Sequence, residues 1–277
     1  MNNLTRRNFV TGTAASVVMA GLAACGSTSS SSSDTSSSAS TSTADYTLVT
    51  PGTLTCIAEL GFAPFEYMDE STGEAKGFDI DVANAVAEKM GLTCTFLPNQ
   101  KFDTLVPTIK QGGKADIAIS GITINDERAK EIDFTDPYVD SNQSLVVLAT
   151  SDDSSDTLNV AGKKIACQAG TTGEEWIQEN MPNATCVPLD DVAAAMAGVE
   201  TGLYDGFVID LPVSSNLIAK SFTDLKVAEE IPTGEQYGIA VSKDNPGLTA
   251  AINDALAKIK SDGTMDSIET TWFGSTI

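Results

Sequence analysis

Glu59, Ser120, Gln168 and Asp210 each stand at, or next to, the last residue of a stretch that reads as a β-strand. In open parallel sheets the ligand crevice lies outside the carboxyl ends of the strands, so two facing lobes would converge these groups on one cleft. Two carboxylates, an amide and a hydroxyl suit a small polar solute. In a closed cleft Glu59 could also serve as a general acid or base if its pKa were raised. The chain has no histidine, the usual general base at neutral pH and the commonest zinc ligand. Triad hydrolases and histidine-bearing metal sites are thereby disfavoured, and no metal or cofactor is expected.

Other polar and aromatic residues are ambiguous when taken singly. Arg128 follows Asp126 and Glu127 and alone reads as an exposed salt-bridge partner. Asp210 could cap a helix beginning at residue 211. Phe62, Phe65 and Phe102 alone read as core.

The elements that must position these groups follow from patterning. Residues 53–60 read as a strand and 61–65, with Pro64, as the loop at its end. Helical spacing of Ile80, Ala83, Val86, Ala87 and Met90 predicts a helix over 79–90, stopped by Gly91. Strands are expected at 93–97, 116–120 and 144–149, with a short helix at 102–111. After a polar break at 151–156 the alternation restarts, with strands at 164–167, 184–188 and 206–209 and helices at 174–180 and 191–201. The stretch 248–273 is helical, with Gly263 between two segments. Two such alternations imply an α/β chain of two parallel-sheet lobes.

The N-terminal region carries an address. Arg6 and Arg7 precede the uncharged apolar stretch 9–24, the layout of a secretory signal over 1–24. The run TRRNFV at 5–10 resembles the twin-arginine export signal, with ordinary secretion as the alternative. Leu22, Ala23 and Ala24 before Cys25 and Gly26 resemble the box at which bacterial lipoproteins are diacylated and cut. A lipid chain contributes about 0.8 kcal/mol per buried CH₂, and stable anchoring takes about two chains, which diacylated Cys25 would supply. Residues 27–43 are almost wholly Ser and Thr and cannot bury enough apolar surface to offset their ordering entropy. Residues 25–45 therefore read as a lipidated tether, its reach roughly 25 Å. Beyond the signal, 14 basic residues face 38 acidic ones, a formal net charge of −24. Nucleic acid is a poor partner for such a body, and the acidity reads as a solubility device.

Setting Cys25 aside leaves four cysteines. Cys56 and Cys94 fall in the first two strands of the first lobe, Cys167 and Cys186 in the corresponding strands of the second. Sequence cannot choose among the three connectivities. An exported protein favours oxidation, and each pair could bridge within its lobe if the strands are neighbours. Buried free thiols are the alternative, because side-by-side parallel strands rarely suit disulfide geometry.

The segments GFAPFEY at 61–67, GFDIDVANAVAEKMG at 77–91 and SGITINDERAKEIDFTDPY at 120–138 resemble the extracellular solute-binding proteins, family 3, that feed polar amino acid ABC transporters. QAGTTGEEW at 168–176, DGFVIDLPV at 205–213 and DGTMDSIETTWFG at 262–274 follow in the expected order. The resemblance implies a monomeric clamshell, with residues 46–138 and 238–277 as lobe I, 143–232 as lobe II and hinges near 139–142 and 233–237. It implies that Arg128 forks onto the ligand carboxylate while Thr123 and Thr172 add donors. Asp210, the Gly121 carbonyl and Ser120 would accept from the ligand ammonium. Phe62 and Phe102 would sandwich the ligand, and Glu59 and Gln168 would face its side chain. Gly173 and Ile209 depart from the polar residues some members carry nearby.

The implied function is delivery of a free amino acid to an ABC permease. An acidic Glu59 favours Arg, Lys, Gln or cystine over acidic ligands. A cyclohexadienyl-dehydratase-like enzyme on the same fold, or a sensor feeding a receptor kinase, are the alternatives.

Overall fold

A computed structural model describes residues 45–276. The expectations for a signal, for lipid on Cys25 and for all but the end of the 25–45 tether lie outside the described residues. The first lobe starts with β1 (Thr53–Ile57) and a three-stranded antiparallel sheet of β2 (Gly61–Phe62), β3 (Glu66–Asp69) and β4 (Glu74–Lys76). Helix α1 (Phe78–Met90) and β5 (Thr93–Phe96) come next. A 3-10 turn at Phe102–Thr104 runs into α2 (Leu105–Gln111), then β6 (Ile117–Ala118), α3 (Asp126–Glu131) and β7 (Asp133–Phe134). The long β8 (Val139–Leu148) crosses to the second lobe. There α4 (Ser155–Leu158), β9 (Lys164–Gln168), α5 (Thr172–Asn180) and β10 (Thr185–Leu189) precede α6 (Val192–Glu200), β11 (Gly206–Asp210) and α7 (Leu211–Lys220). The chain returns on β12 (Leu225–Tyr237) to β13 (Ala240–Val241), α8 (Pro246–Ser261) and α9 (Thr264–Phe273).

The two larger sheets have one plan. Their orders are β5-β1-β6-β13-β7 and β10-β9-β11-β8-β12. In each, the first three strands are parallel and the last two join antiparallel. The sheets are thus mainly parallel, as expected, with β13 in one and β8 in the other running against the remaining strands. The antiparallel members adjoin the crossings, where a chain that leaves a lobe must also come back. The ladder between β8 and β12 runs from Leu148 opposite Leu225 to Val139 opposite Tyr237. Sequence reasoning misses most of β12 because LKVAEEIPTGEQY is polar and broken by Pro232 and Gly234, which suits an edge strand with a bulge.

The strands expected at 53–60 and 116–120 stop early, at Ile57 and Ala118. Beyond those points the chain leaves the ladder, which frees Glu59 and Ser120 to point elsewhere. Helix α1 buries its apolar face and ends at Gly91, whose φ of 73° lets its N–H close on Glu88. At its other end, a Cβ on Gly77 would lie 2.0 Å from the Phe65 carbonyl, so only glycine fits.

Phe65, fully buried as expected, packs edge-on against Phe78 at 5.9 Å and Tyr237 at 5.3 Å, with Phe273 at 5.5 Å. One ring thereby ties the loop before β3 to α1, β12 and α9. The cysteine pairs take the same diagonal position in both lobes, with Sγ atoms 3.5 Å apart for Cys56 and Cys94 and 3.4 Å for Cys167 and Cys186. All four are free thiols.

Replacing Phe65 with Ala should cost about 3–5 kcal/mol, the usual toll of a large buried ring. Urea unfolding checks this, and an unmoved midpoint would mean that the cluster does not bind these elements together.

Candidate functional site

Strand β9 ends at Gln168 and β11 at Asp210, while Glu59 and Ser120 stand two residues past the ends of β1 and β6. All four are buried. Gln168 Nε2 reaches Glu59 Oε2 at 3.4 Å, so strand ends of the two lobes meet across the cleft. Of the four positions the crevice rule selects, the structure joins Glu59 to Gln168 and to Ser120, while Asp210 bonds Tyr237 instead.

Arg128 lies in the first turn of α3, its backbone N–H capped by the Asn125 side chain at 2.8 Å. Its guanidinium is buried and spans the lobes, with Nη1 donating to the Thr123 carbonyl at 2.8 Å and Nη2 to the Gly170 carbonyl at 3.0 Å. The Phe102 ring sits 5.3 Å from its Cζ, a cation–π distance. Among the described residues no carboxylate is ion-paired with it. Burial pulls its pKa down, opposed by the charges of Glu175, Glu235 and Asp210. The reading of Arg128 as an exposed salt-bridge partner is therefore corrected. On α3 that part belongs to Lys130, paired with Glu127 at 2.8 Å.

Two further carboxyls, Asp210 and Glu59, are buried near the strand ends without an ion pair among the described residues. Burial, then the charge of Glu235, raises Asp210 from 3.8 to about 7, although Tyr237 OH donates to it at 2.6 Å. Asp210 holds the N-cap position of α7 but makes no side-chain cap bond, so capping is not its use. Burial likewise raises Glu59 from 4.5 to about 7, tempered by Gln168 and reinforced by Asp191. Beyond Glu59 a cavity of about 350 Å³ opens, bordered by Asn99, Lys101, Asp190 and Asp191.

Beneath the floor lies a second layer that sequence reasoning missed. Ser120 Oγ donates to Glu66 at 2.7 Å and accepts from the Glu59 amide at 3.0 Å, so its one hydrogen is committed inside the fold. The Gly121 amide and Tyr138 OH both donate to Asp79 Oδ2, at 2.8 and 2.9 Å. Glu66 Oε2 and Asp79 Oδ1 have no donor among the described residues. One proton kept on Glu66 and given to Asp79 satisfies both, and burial followed by the Asp79 charge pushes Glu66 well above the carboxylate range. APFEY and GFDID contain these acids, but a loop and a helical face conceal that they meet. Gly121, at φ 53°, would bring a Cβ to 3.0 Å from the Phe62 ring, so a bare backbone lines that wall.

Thr123 and Thr172 meet across the lobes through a third residue. Both hydroxyls donate to Glu235 Oε2, at 2.8 and 2.9 Å, and the Gln143 amide adds a third bond at 3.2 Å. Gly173 is bare because a Cβ there would lie 3.0 Å from Gln143 Oε1 and 3.2 Å from the Val208 carbonyl. Ile209 is buried among apolar side chains.

A buried cation that touches both lobes, with the charge of the buried Asp210 acting on it, suits a zwitterion. Residues 54–275 match the bacterial extracellular solute-binding proteins, family 3. The chain belongs to this family. It is 38% identical over 217 residues to ABC transporter arginine-binding protein 1 of Escherichia coli (strain K12), covering 76% of this chain and 87% of that protein. An ancestral arginine-binding protein bound to arginine superposes with a TM-score of 0.76 at 36% identity, over 80% of this chain and 98% of that one. AncCDT-1, an ancestral amino acid-binding protein described as a precursor of cyclohexadienyl dehydratase, has a TM-score of 0.74 at 34% identity, over 80% and 96% of the two chains.

The raised carboxyls set a pH dependence of stability. The folded state binds more protons than the unfolded one between the ordinary carboxylate range and about pH 7, so stability is full below that window and lost as pH rises through it. Each such group removes at most about 1.4 kcal/mol per pH unit. The melting temperature should therefore be higher at pH 5 than at pH 8. Glu66→Gln, which donates to Asp79 at every pH, should shrink the difference. A variant whose profile matches the parent would sink the shared-proton account.

Proposed function

We propose that this chain is the extracytoplasmic substrate-binding component of an ABC importer, closing on one free polar amino acid and presenting it to the permease. The observation that carries the reading is Arg128, a buried guanidinium with no ion-paired carboxylate among the described residues, close enough to Asp210 to feel its charge. Burying a charge is costly until a partner arrives, and an α-carboxylate offers the planar fork that guanidinium prefers. Asp210 takes the α-ammonium together with the Gly121 carbonyl. Phe62 and Phe102 flank the ligand stem, and Glu59 with Gln168 receives the side-chain end. Ser120, whose hydroxyl donates to Glu66 and accepts from the Glu59 amide, keeps a second lone pair to accept from the same α-ammonium.

Side-chain preference follows from charge. Glu59, with Asp191 near it, repels acidic ligands and favours Arg, Lys, Gln or cystine, while Asp190 of the cavity beyond is paired with Lys101. The arginine named for the relatives agrees with the cationic choice. Closure turns on the crossings at 139–142 and 233–237, and the antiparallel ladder of β8 and β12 supports that placement. Family membership implies an extracytoplasmic location. Lipid on Cys25 and twin-arginine export complete the proposal, resting on the residues around Cys25 and Arg6.

A dehydratase would need Glu59 as its acid or base, and the raised pKa of Glu59 and the likeness to AncCDT-1 make that the second reading. The two separate in one assay. Ligand at about 100 times its dissociation constant should stabilise the fold by about 2.7 kcal/mol in a thermal-shift screen of the amino acids and cystine. A shift that persists identifies a binder. One that decays as product forms identifies an enzyme, and no shift at all defeats both.

Arg128→Ala should weaken binding by about 100-fold or more, since it removes one partner of a buried charge pair, while the melting curve stays cooperative. Affinity should also rise with pH between about 5 and 7, because the ligand ammonium needs Asp210 ionised. For Arg or Lys, which also need Glu59 ionised, the slope of log affinity should approach about two, and for Gln about one. Calorimetric titration across pH checks this, and equal slopes would remove Glu59 from the side-chain site.

A further inference from the structure

Glu235 makes contacts that neither the family resemblance nor the crevice rule assigns. It lies on β12 just past the bulge that separates the Ile231–Gln143 and Glu235–Ser141 pairs. The bulge holds Gly234 at φ 62°, its amide bonded to Asn142 Oδ1 at 3.0 Å. Alternation along the strand then puts Glu235 and Tyr237 on one face, and Tyr237 is the residue that bonds Asp210.

A single carboxylate oxygen, Oε2, collects hydroxyl bonds from Thr123 of the first lobe and Thr172 of the second, with the Gln143 amide as third donor. Thr172 opens helix α5, so the oxygen also faces the positive end of a helix dipole. Thr123 further binds the Arg128 guanidinium through its carbonyl. Three donors from two lobes, a helix N-terminus and a nearby guanidinium form a socket for a carboxylate, and a carboxylate of the protein sits in it. A hydroxyl has one hydrogen. While Thr123 and Thr172 give theirs to Glu235, neither hydroxyl can donate to a ligand.

Resting on the amino-acid reading of this site, we propose that Glu235 is an internal surrogate for the ligand carboxylate, which the incoming amino acid displaces on binding. Glu235 is half-buried and borders a groove of about 410 Å³ with Asp140, Asn142, Pro212 and Gly234, which gives the displaced side chain a way to water. Its contacts also draw the lobes together, because Thr123 and Thr172 meet only through it. Displacement makes affinity a difference between two carboxylates, so a solute without a carboxylate gains nothing by entering the socket. Glu235 thereby sets both how tightly and how selectively amino acids bind.

Two probes with opposite expected signs test this on the full chain and on Glu235→Gln. L-Arginine carries the competing carboxylate, whereas agmatine, arginine without it, leaves Glu235 in place beside its ammonium. By calorimetry, Glu235→Gln should tighten arginine, by about tenfold if the internal contact holds in nine of ten molecules. The same substitution should weaken agmatine or leave it unimproved. Arginine binding that is unchanged or weaker in the variant overturns the proposal. X-ray scattering without added amino acid is the second arm. Glu235→Ala should have a larger radius of gyration than the parent, and an equal radius overturns the proposal. The scattering arm decides even if the parent binds no amino acid, a result that would defeat the amino-acid reading separately.

Discussion

A charged group buried without an opposite charge in contact is the constraint around which this cleft is arranged. Arg128 carries its charge into the interior, and its hydrogen bonds go to two backbone carbonyls, one from each lobe. Carbonyl dipoles satisfy the geometry of the fork but do not cancel its charge. Asp210 and Glu59 are likewise buried without an ion pair among the described residues, and burial raises both to about 7. Were these groups in contact they would pair and leave nothing to recognise. The fold keeps them apart by fixing each to a different element, α3 for Arg128, the end of β11 for Asp210 and the turn after β1 for Glu59.

Holding that separation takes structure below the cleft. The loop from Ser120 to Thr123 is pinned from beneath by Glu66 and Asp79, and from the side by the Phe62 ring against Gly121. Glu66 and Asp79 sit at the junction of β3 and α1, which the Phe65 cluster locks to β12 and α9. A chain of contacts therefore runs from an aromatic core, through a carboxyl pair sharing a proton, to the backbone from Ser120 to Thr123. The acids of the lower layer are neutralised by sharing, and those of the upper layer stay available for a cation.

The same logic gives the crossings a double use. Strands β8 and β12 carry the chain between lobes, and their inward faces contribute Gln143, Glu235 and Tyr237 to the cleft. Residues of the strands that connect the lobes thus also bond Thr123, Thr172 and Asp210.

Much of this was legible in the residue order. Alternating strands and helices specify two α/β lobes, because a pattern of period two or about 3.6 is a local property of the chain. The crevice rule then selects Glu59, Ser120, Gln168 and Asp210, since strand ends are local as well. What the sequence could not reveal is where side chains from different elements go. The hydroxyl of Ser120 turns downward to Glu66, Asp210 bonds Tyr237 and leaves its helix uncapped, and Arg128 turns inward although two acids precede it. Cys56 and Cys94, and Cys167 and Cys186, prove to be neighbours only because the strands pair with a particular register. Glu235 is the clearest case, one acid among 38 in the chain, in a strand too polar to read as one. Local pattern determined the elements and the rim of the site. The pairing of buried charges and donors was decided only by tertiary structure, because it depends on distances between residues far apart in sequence.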